Sequence, residues 1–93
     1  MARYVCLIRH SQQGVQHIKQ SPSRGAAFRE AAEKAGVKVE TQLWTAGAYD
    51  GILVLSGEEK KVLGAITKLA SLGNVHTQSM PAFDAAEFAE IVG

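Results

Sequence analysis

The sequence predicts an α+β domain built on a single four-stranded antiparallel sheet, and three observations predict it. Near the middle of the chain, two strand-like runs, one ending at Trp44 and one starting at Ile52, flank a short connection holding Gly47, Asp50 and Gly51. Those residue types tolerate the tight geometry of hairpin loops, so the stretch reads as a β-hairpin. The run Ile52 to Leu55 shows no polar alternation, and neither does Tyr4 to Ile8. Such strands are buried on both faces and belong at the centre of a sheet. The segments Val37 to Trp44 and Val75 to Met80 do alternate, as half-exposed edge strands should. At 93 residues the chain is one domain, residues 1–93, with room for one sheet and two or three helices.

Each element has its own local reason. Tyr4, Val5, Cys6, Leu7 and Ile8 form the first strand, with β-branched and aromatic members. Ser11 is placed to cap a short turn through Gly14 to Ile18, and Ser21-Pro22 gives a stronger start, with Ser21 as cap and Pro22 at the first helical position. The helix that follows carries Phe28, Ala31, Ala32 and Ala35 at helical spacing and ends at Gly36. In the second strand Val37, Val39, Thr41 and Leu43 form one face, and Lys38, Glu40, Gln42 and Trp44 the other. In the loop, Gly47 is expected at positive φ or in close backbone contact, with Tyr49 largely buried and Asp50 bonded to local amides.

Ser56-Gly57-Glu58-Glu59 has the spacing of a capping box. It opens a helix with Val62, Ile66, Leu69 and Ala70 as its buried stripe and Leu63 beside it, stopped by Leu72-Gly73-Asn74. Pro81 closes the fourth strand, and Asp84 to Glu87 repeats the capping spacing before a short helix bearing Phe88 and Ile91. The order β-α-β-β-α-β, with strands one and three central, is that of the ferredoxin-like sandwich. Both long helices then cover one sheet face, and the other leaves apolar side chains of the central strands in water. A patch of that kind predicts self-association, a homodimer or higher oligomer through the open face.

Composition bounds the function classes. With 46% hydrophobic and 20% charged residues the chain is too apolar to be disordered, and no apolar run approaches the ~20 residues of a membrane span. Met1-Ala2-Arg3-Tyr4 leads straight into a strand without the features of a secretory signal, so the expected location is cytoplasmic. Cys6 is the one cysteine, which excludes an intrachain disulfide and a zinc site built on cysteines. His10, His17 and His76 have no mutual ligand spacing, so neither a metal nor a cofactor is expected. Residues 1 to 38 hold seven basic residues against two acidic ones, and residues 39 to 93 hold three against seven. The two halves are complementary in sign, but the basic residues are scattered. An aliphatic third strand, with Tyr4 alone able to stack a base, further argues against nucleic acid.

Trp44-Thr45, Gly47-x-Tyr49-Asp50 before a hydrophobic strand, Leu72-Gly73-Asn74-Val75, and Thr77 before Met80-Pro81-Ala82-Phe83 together resemble the GYD-domain family of the dimeric α/β-barrel superfamily. Gly14, Val15, Ile18, Lys19 and Ser21-Pro22 also fit, so the likeness runs almost end to end. It implies a ferredoxin-like protomer that pairs sheet to sheet into a dimeric α/β barrel, in a family without an assigned activity. Arg9-His10-Ser11 departs from the more usual Phe-Thr at that place. Ile8-Arg9-His10-Ser11 is also superficially similar to the Arg-His-Gly of histidine phosphatases, but Ser11 replaces the glycine, and a solvated strand-end histidine is the better reading of His10.

For a small-molecule ligand the candidate residues are Trp44, Tyr49, Asp50, His76 and Arg9, which supply an aromatic wall, a proton carrier and charge at strand ends. Two functions compete. One is an oligomeric small-ligand-binding or structural module. The other is a cofactor-free enzyme of the superfamily's monooxygenase, isomerase or dehydratase kind, with a pocket near Tyr49 and His76. No pair of these residues has a spacing that guarantees one orients the other, as acid–base or nucleophilic catalysis requires, which favours binding.

Overall fold

The elements run β1 (Ala2–His10), α1 (Gln12–Gln16), α2 (Ser21–Lys34), β2 (Lys38–Trp44), β3 (Gly51–Gly57), α3 (Glu59–Ser71), β4 (Val75–Pro81) and α4 (Ala85–Val92), with a 3-10 turn at Ile18–Gln20 leading into α2. They come from a computed structural model that describes all of residues 1–93. The strands form one sheet in the order β2-β3-β1-β4, antiparallel at every junction. The apolar strands β1 and β3 are central and the alternating ones are at the edges, consistent with the ferredoxin-like fold. No helix is long and apolar enough to cross a membrane.

The pleat divides the central strands cleanly. Cys6 pairs with Leu53 and Tyr4 with Leu55, and these side chains join Val39 of β2, Val37, Ala32 of α2, and Val62 and Ile66 of α3 in the core. The alternate residues Val5, Leu7, Ile52 and Val54 point the other way, and none of them belongs to that core. Neighbours along the sheet shade them, but no layer lies above them; the smallest extent of the molecule, 18 Å, fits one sheet and one layer of helices. Burial of Cys6 pushes its thiol up to about 11, so it stays a thiol at neutral pH and acts as a small apolar residue.

β2 departs from the predicted alternation. A bulge lies between Val39 and Thr41, so two residues of β2 oppose one of β3 and the side-chain phase inverts. Val37 and Val39 are buried as expected, but beyond the bulge Leu43 turns outward, 58% exposed. Gln42 and Trp44 turn toward α2 instead: Gln42 Nε2 donates to the Gly25 carbonyl at 3.0 Å and Trp44 Nε1 to Ser21 Oγ at 2.9 Å. A period-two reading cannot see an inserted residue.

Two helix starts also differ from expectation. α2 begins at Ser21 itself, with Gln20 at the cap position, because the preceding 3-10 turn feeds the chain in already helical and the Ser21 hydroxyl is taken by Trp44. α3 is capped not by Ser56, which belongs to β3, but by Glu58, whose carboxylate accepts from the amides of Lys60 and Lys61 at 3.1 and 3.3 Å. Ser11 does cap α1, accepting from the Gly14 amide at 3.1 Å. Asp84 and Glu87 form the complete reciprocal box at the start of α4.

The turn after α3 is docked against α1. Gly73 has φ +83°, the left-handed conformation that glycine adopts without strain. The next residue, Asn74, accepts the Ser11 amide at 3.0 Å. Gly14 packs against the same carbonyl so closely that a Cβ there would land on Asn74 O.

Candidate functional site

The connection between β2 and β3 is held by backbone and by two side chains. The Thr45 amide donates to the Asp50 carbonyl at 2.9 Å, and the Asp50 amide donates to the Ile8 carbonyl at 2.7 Å. Asp50 Oδ2 accepts the His10 amide at 2.8 Å. The aspartate therefore ties the hairpin to the end of β1, across the sheet rather than within its own loop. Gly47 does not fill the role expected of it: its φ is not positive, and a Cβ there would meet nothing within 4 Å. Close approach belongs to Gly51, where a Cβ would lie 3.1 Å from the Leu43 carbonyl. Tyr49 is half-buried rather than largely buried. Its hydroxyl donates to Gln78 Oε1 at 3.0 Å.

The five candidate residues fall on two sides of the sheet. Trp44 and Asp50 line a cavity of about 70 Å³ between the end of the sheet and α2, together with Ile8, Ser21, Arg24 and Phe28. Tyr49 lies on the open side through its bond to Gln78, which pairs with Leu7. Arg9 and His76 face each other across β1 and β4, both exposed. The structure thus brings Trp44 together with Asp50, and Arg9 together with His76, but it does not gather all five around one pocket.

Three residues of the cavity were missed by sequence reasoning. Gly25 lets the indole lie against α2, since a Cβ there would sit 2.9 Å from Trp44 Cζ2. A glycine inside a helical pattern is a signal of close packing, and this one was open to reading. Ser21 was seen only as a cap. Arg24 donates from Nη1 to the His17 carbonyl at 2.8 Å, while its Nη2 is out of solvent with no partner. No pattern in the sequence singles Arg24 out from the other basic residues of α2. His10, expected to be solvated, is half-buried with Nδ1 likewise out of solvent and unpartnered.

Chemically, the cavity is lined by apolar and aromatic groups, by one carboxylate oriented by a main-chain amide, and by the residue bearing one guanidinium. By the yardstick of a ~150 Å³ cavity that accepts benzene, it holds about three heavy atoms, the size of a carboxylate group.

Comparison with curated proteins and with solved structures gives no match. The family model described as GYD domain, however, matches residues 4–92, from Tyr4 in β1 to the end of α4. With the hairpin, the Leu72-Gly73-Asn74 turn and the Met80-Pro81-Ala82-Phe83 exit all inside that span, the chain belongs to the GYD domain family.

Proposed function

We propose that two copies of the chain pair through their open sheet faces into a module that binds a small anionic ligand, its acidic head seated in the cavity beside Arg24. The pairing is supported by surface area. The chain exposes 6088 Å² at a mass of 9.9 kDa, where a compact monomer of that mass exposes about 5,200 Å². The excess, roughly 900 Å², is close to the ~800 Å² that each partner buries in an interface of standard size.

The observation that carries the ligand reading is that Arg24, whose Nη2 is withdrawn from water and unpaired, is the one basic residue lining a cavity that is mainly apolar apart from Ser21, Gln42 and Asp50. A buried donor without an acceptor costs stability, and a carboxylate is the acceptor whose geometry a guanidinium matches. Trp44 and Phe28 suit an apolar body attached to that head. Binding is favoured over catalysis because Asp50 is oriented by the His10 main-chain amide and not by a second titratable side chain, so no proton relay is assembled.

Trp44 is the only tryptophan and so reports the cavity directly. Titration with straight-chain monocarboxylates from acetate to hexanoate is expected to give a saturable change in its fluorescence. The matching primary amides should bind at least about tenfold more weakly, and Arg24→Met should weaken carboxylate binding by about the same factor. Equal affinity for acids and amides, or no saturable response to either, would overturn the ligand reading and leave the pairing untouched.

A further inference from the structure

The C-terminal helix α4 has a cap and an anchor but no buried residue. Its first turn is held by the reciprocal box of Asp84 and Glu87, and Arg3 Nη1 donates to Glu87 Oε1 at 2.9 Å. The Ala82 amide donates to the Arg3 carbonyl at 2.9 Å. Glu87, held by the Asp84 backbone amide and by Arg3, sits below its ordinary value. Beyond that root α4 buries nothing. Phe88, Ile91 and Val92 share one face and are 54%, 56% and 67% exposed, and Phe83 before the helix is 52% exposed. An open cleft of about 600 Å³, bordered by Tyr4, Glu59 and Phe83, lies at the root of the helix.

A helix of eight residues is far shorter than the roughly 12–15 residues at which isolated helices become even marginal in water. Three exposed apolar side chains on such a helix, with Phe83 just before it, mark a contact surface. The projection also shows in the dimensions: the Cα radius of gyration is 13.7 Å and the longest extent 47 Å, where a compact domain of this length has a radius near 12.3 Å.

We infer that α4 is an arm that closes on the second copy of the chain. This rests on the sheet-to-sheet pairing proposed above, and the anchor explains why the two belong together. Arg3 shares the pleat face of Val5 and Leu7 and pairs with Ser56 on β3. The ion pair to Glu87 therefore ties α4 to a side chain of the open face, at the end of the sheet where the cleft bordered by Tyr4 and Glu59 also lies, within reach of a copy paired on that face. The roughly 900 Å² of excess surface includes the apolar face of α4 as well as the open sheet, and a second copy docked on that side covers both at once.

The test combines two variants of the full chain with hydrogen exchange on the unmodified protein. Phe88→Ser with Ile91→Ser removes the arm's apolar face without touching the sheet; since neither side chain is buried within the protomer, the thermal unfolding of the dilute single chain should not change. The pair should persist in this variant but with a dissociation constant raised at least about tenfold, and in the unmodified protein the amides of residues 85–92 should be protected only at concentrations where it is paired. Val54→Glu, by contrast, should abolish pairing and α4 protection together. An unchanged dissociation constant for the double variant, free exchange of α4 in the paired protein, or protection of α4 in dilute monomer would each overturn the arm while leaving the sheet pairing intact. A chain that never pairs at any concentration would overturn both.

Discussion

Val54→Glu is expected to leave a folded protomer that cannot form the proposed pair. Val54 lies in the middle of β3, opposite Val5 on one side and Thr41 on the other, on the sheet face that α2 and α3 do not cover. In a single protomer the new carboxylate points into water, and the penalty is a loss of strand preference within the ~1 kcal/mol span of such preferences. In the pair the same carboxylate is buried without a partner, once in each copy. An uncompensated buried charge typically costs about 3–5 kcal/mol, so with one in each copy the dissociation constant should rise by at least about ten-thousandfold. The readout is thermal unfolding against concentration: the unmodified protein should melt higher as it is concentrated, because pairing binds only the folded state, and Val54→Glu should melt at one temperature throughout. A variant whose melting temperature still climbs with concentration would place the interface elsewhere.

Gly14→Ala is the substitution with the largest expected effect on the protomer itself. A methyl group there has to displace the carbonyl of Asn74, which is main chain in the turn between α3 and β4 and already accepts the Ser11 amide. Backbone cannot move aside as a long side chain does, and overpacking of this kind costs about 1–3 kcal/mol or more. At the sensitivity of a domain this size, a cost of about 2–3 kcal/mol lowers the melting temperature by about 8–24 °C. Gly47→Ala provides the contrast. Its φ is not positive and the space around it is open, so the melting temperature should hold or rise, by an amount within the ~1 kcal/mol that a glycine-to-alanine change confers through the unfolded chain. If both variants unfolded at the same temperature as the unmodified protein, the α1 junction would not be a structural lock.

Much of the architecture was legible because the signals were strong and local. Ile52 to Leu55 has no polar alternation, and it is indeed a central strand. Asp84 and Glu87 at capping spacing do form the box, and Leu72-Gly73-Asn74 does turn through a left-handed glycine. What failed to show in the sequence was nonlocal. The bulge between Val39 and Thr41 leaves no compositional mark, yet it decides that Trp44 faces α2 while Leu43 faces solvent. With the half-exposed indole lying against α2, the Ser21 hydroxyl becomes its acceptor instead of a helix cap.

The candidate site was legible only in pieces. Asp50 was readable as a turn residue, but its partner, the His10 amide, lies across the sheet and no spacing rule connects the two. Arg9 and His76 were chosen for their chemistry, and only strand register places them opposite each other. Arg24 was indistinguishable from neighbouring basic residues, because what sets it apart is a donor withdrawn from water, a property of the folded chain.

The proposed arm depends on the proposal that the open sheet face carries a second copy. Sedimentation equilibrium of the unmodified protein at micromolar concentration tests it most directly. The account predicts a mass of at least twice the 9.9 kDa of one chain, falling toward the single-chain value on dilution. A soluble species that stays at the single-chain mass across that range would contradict it.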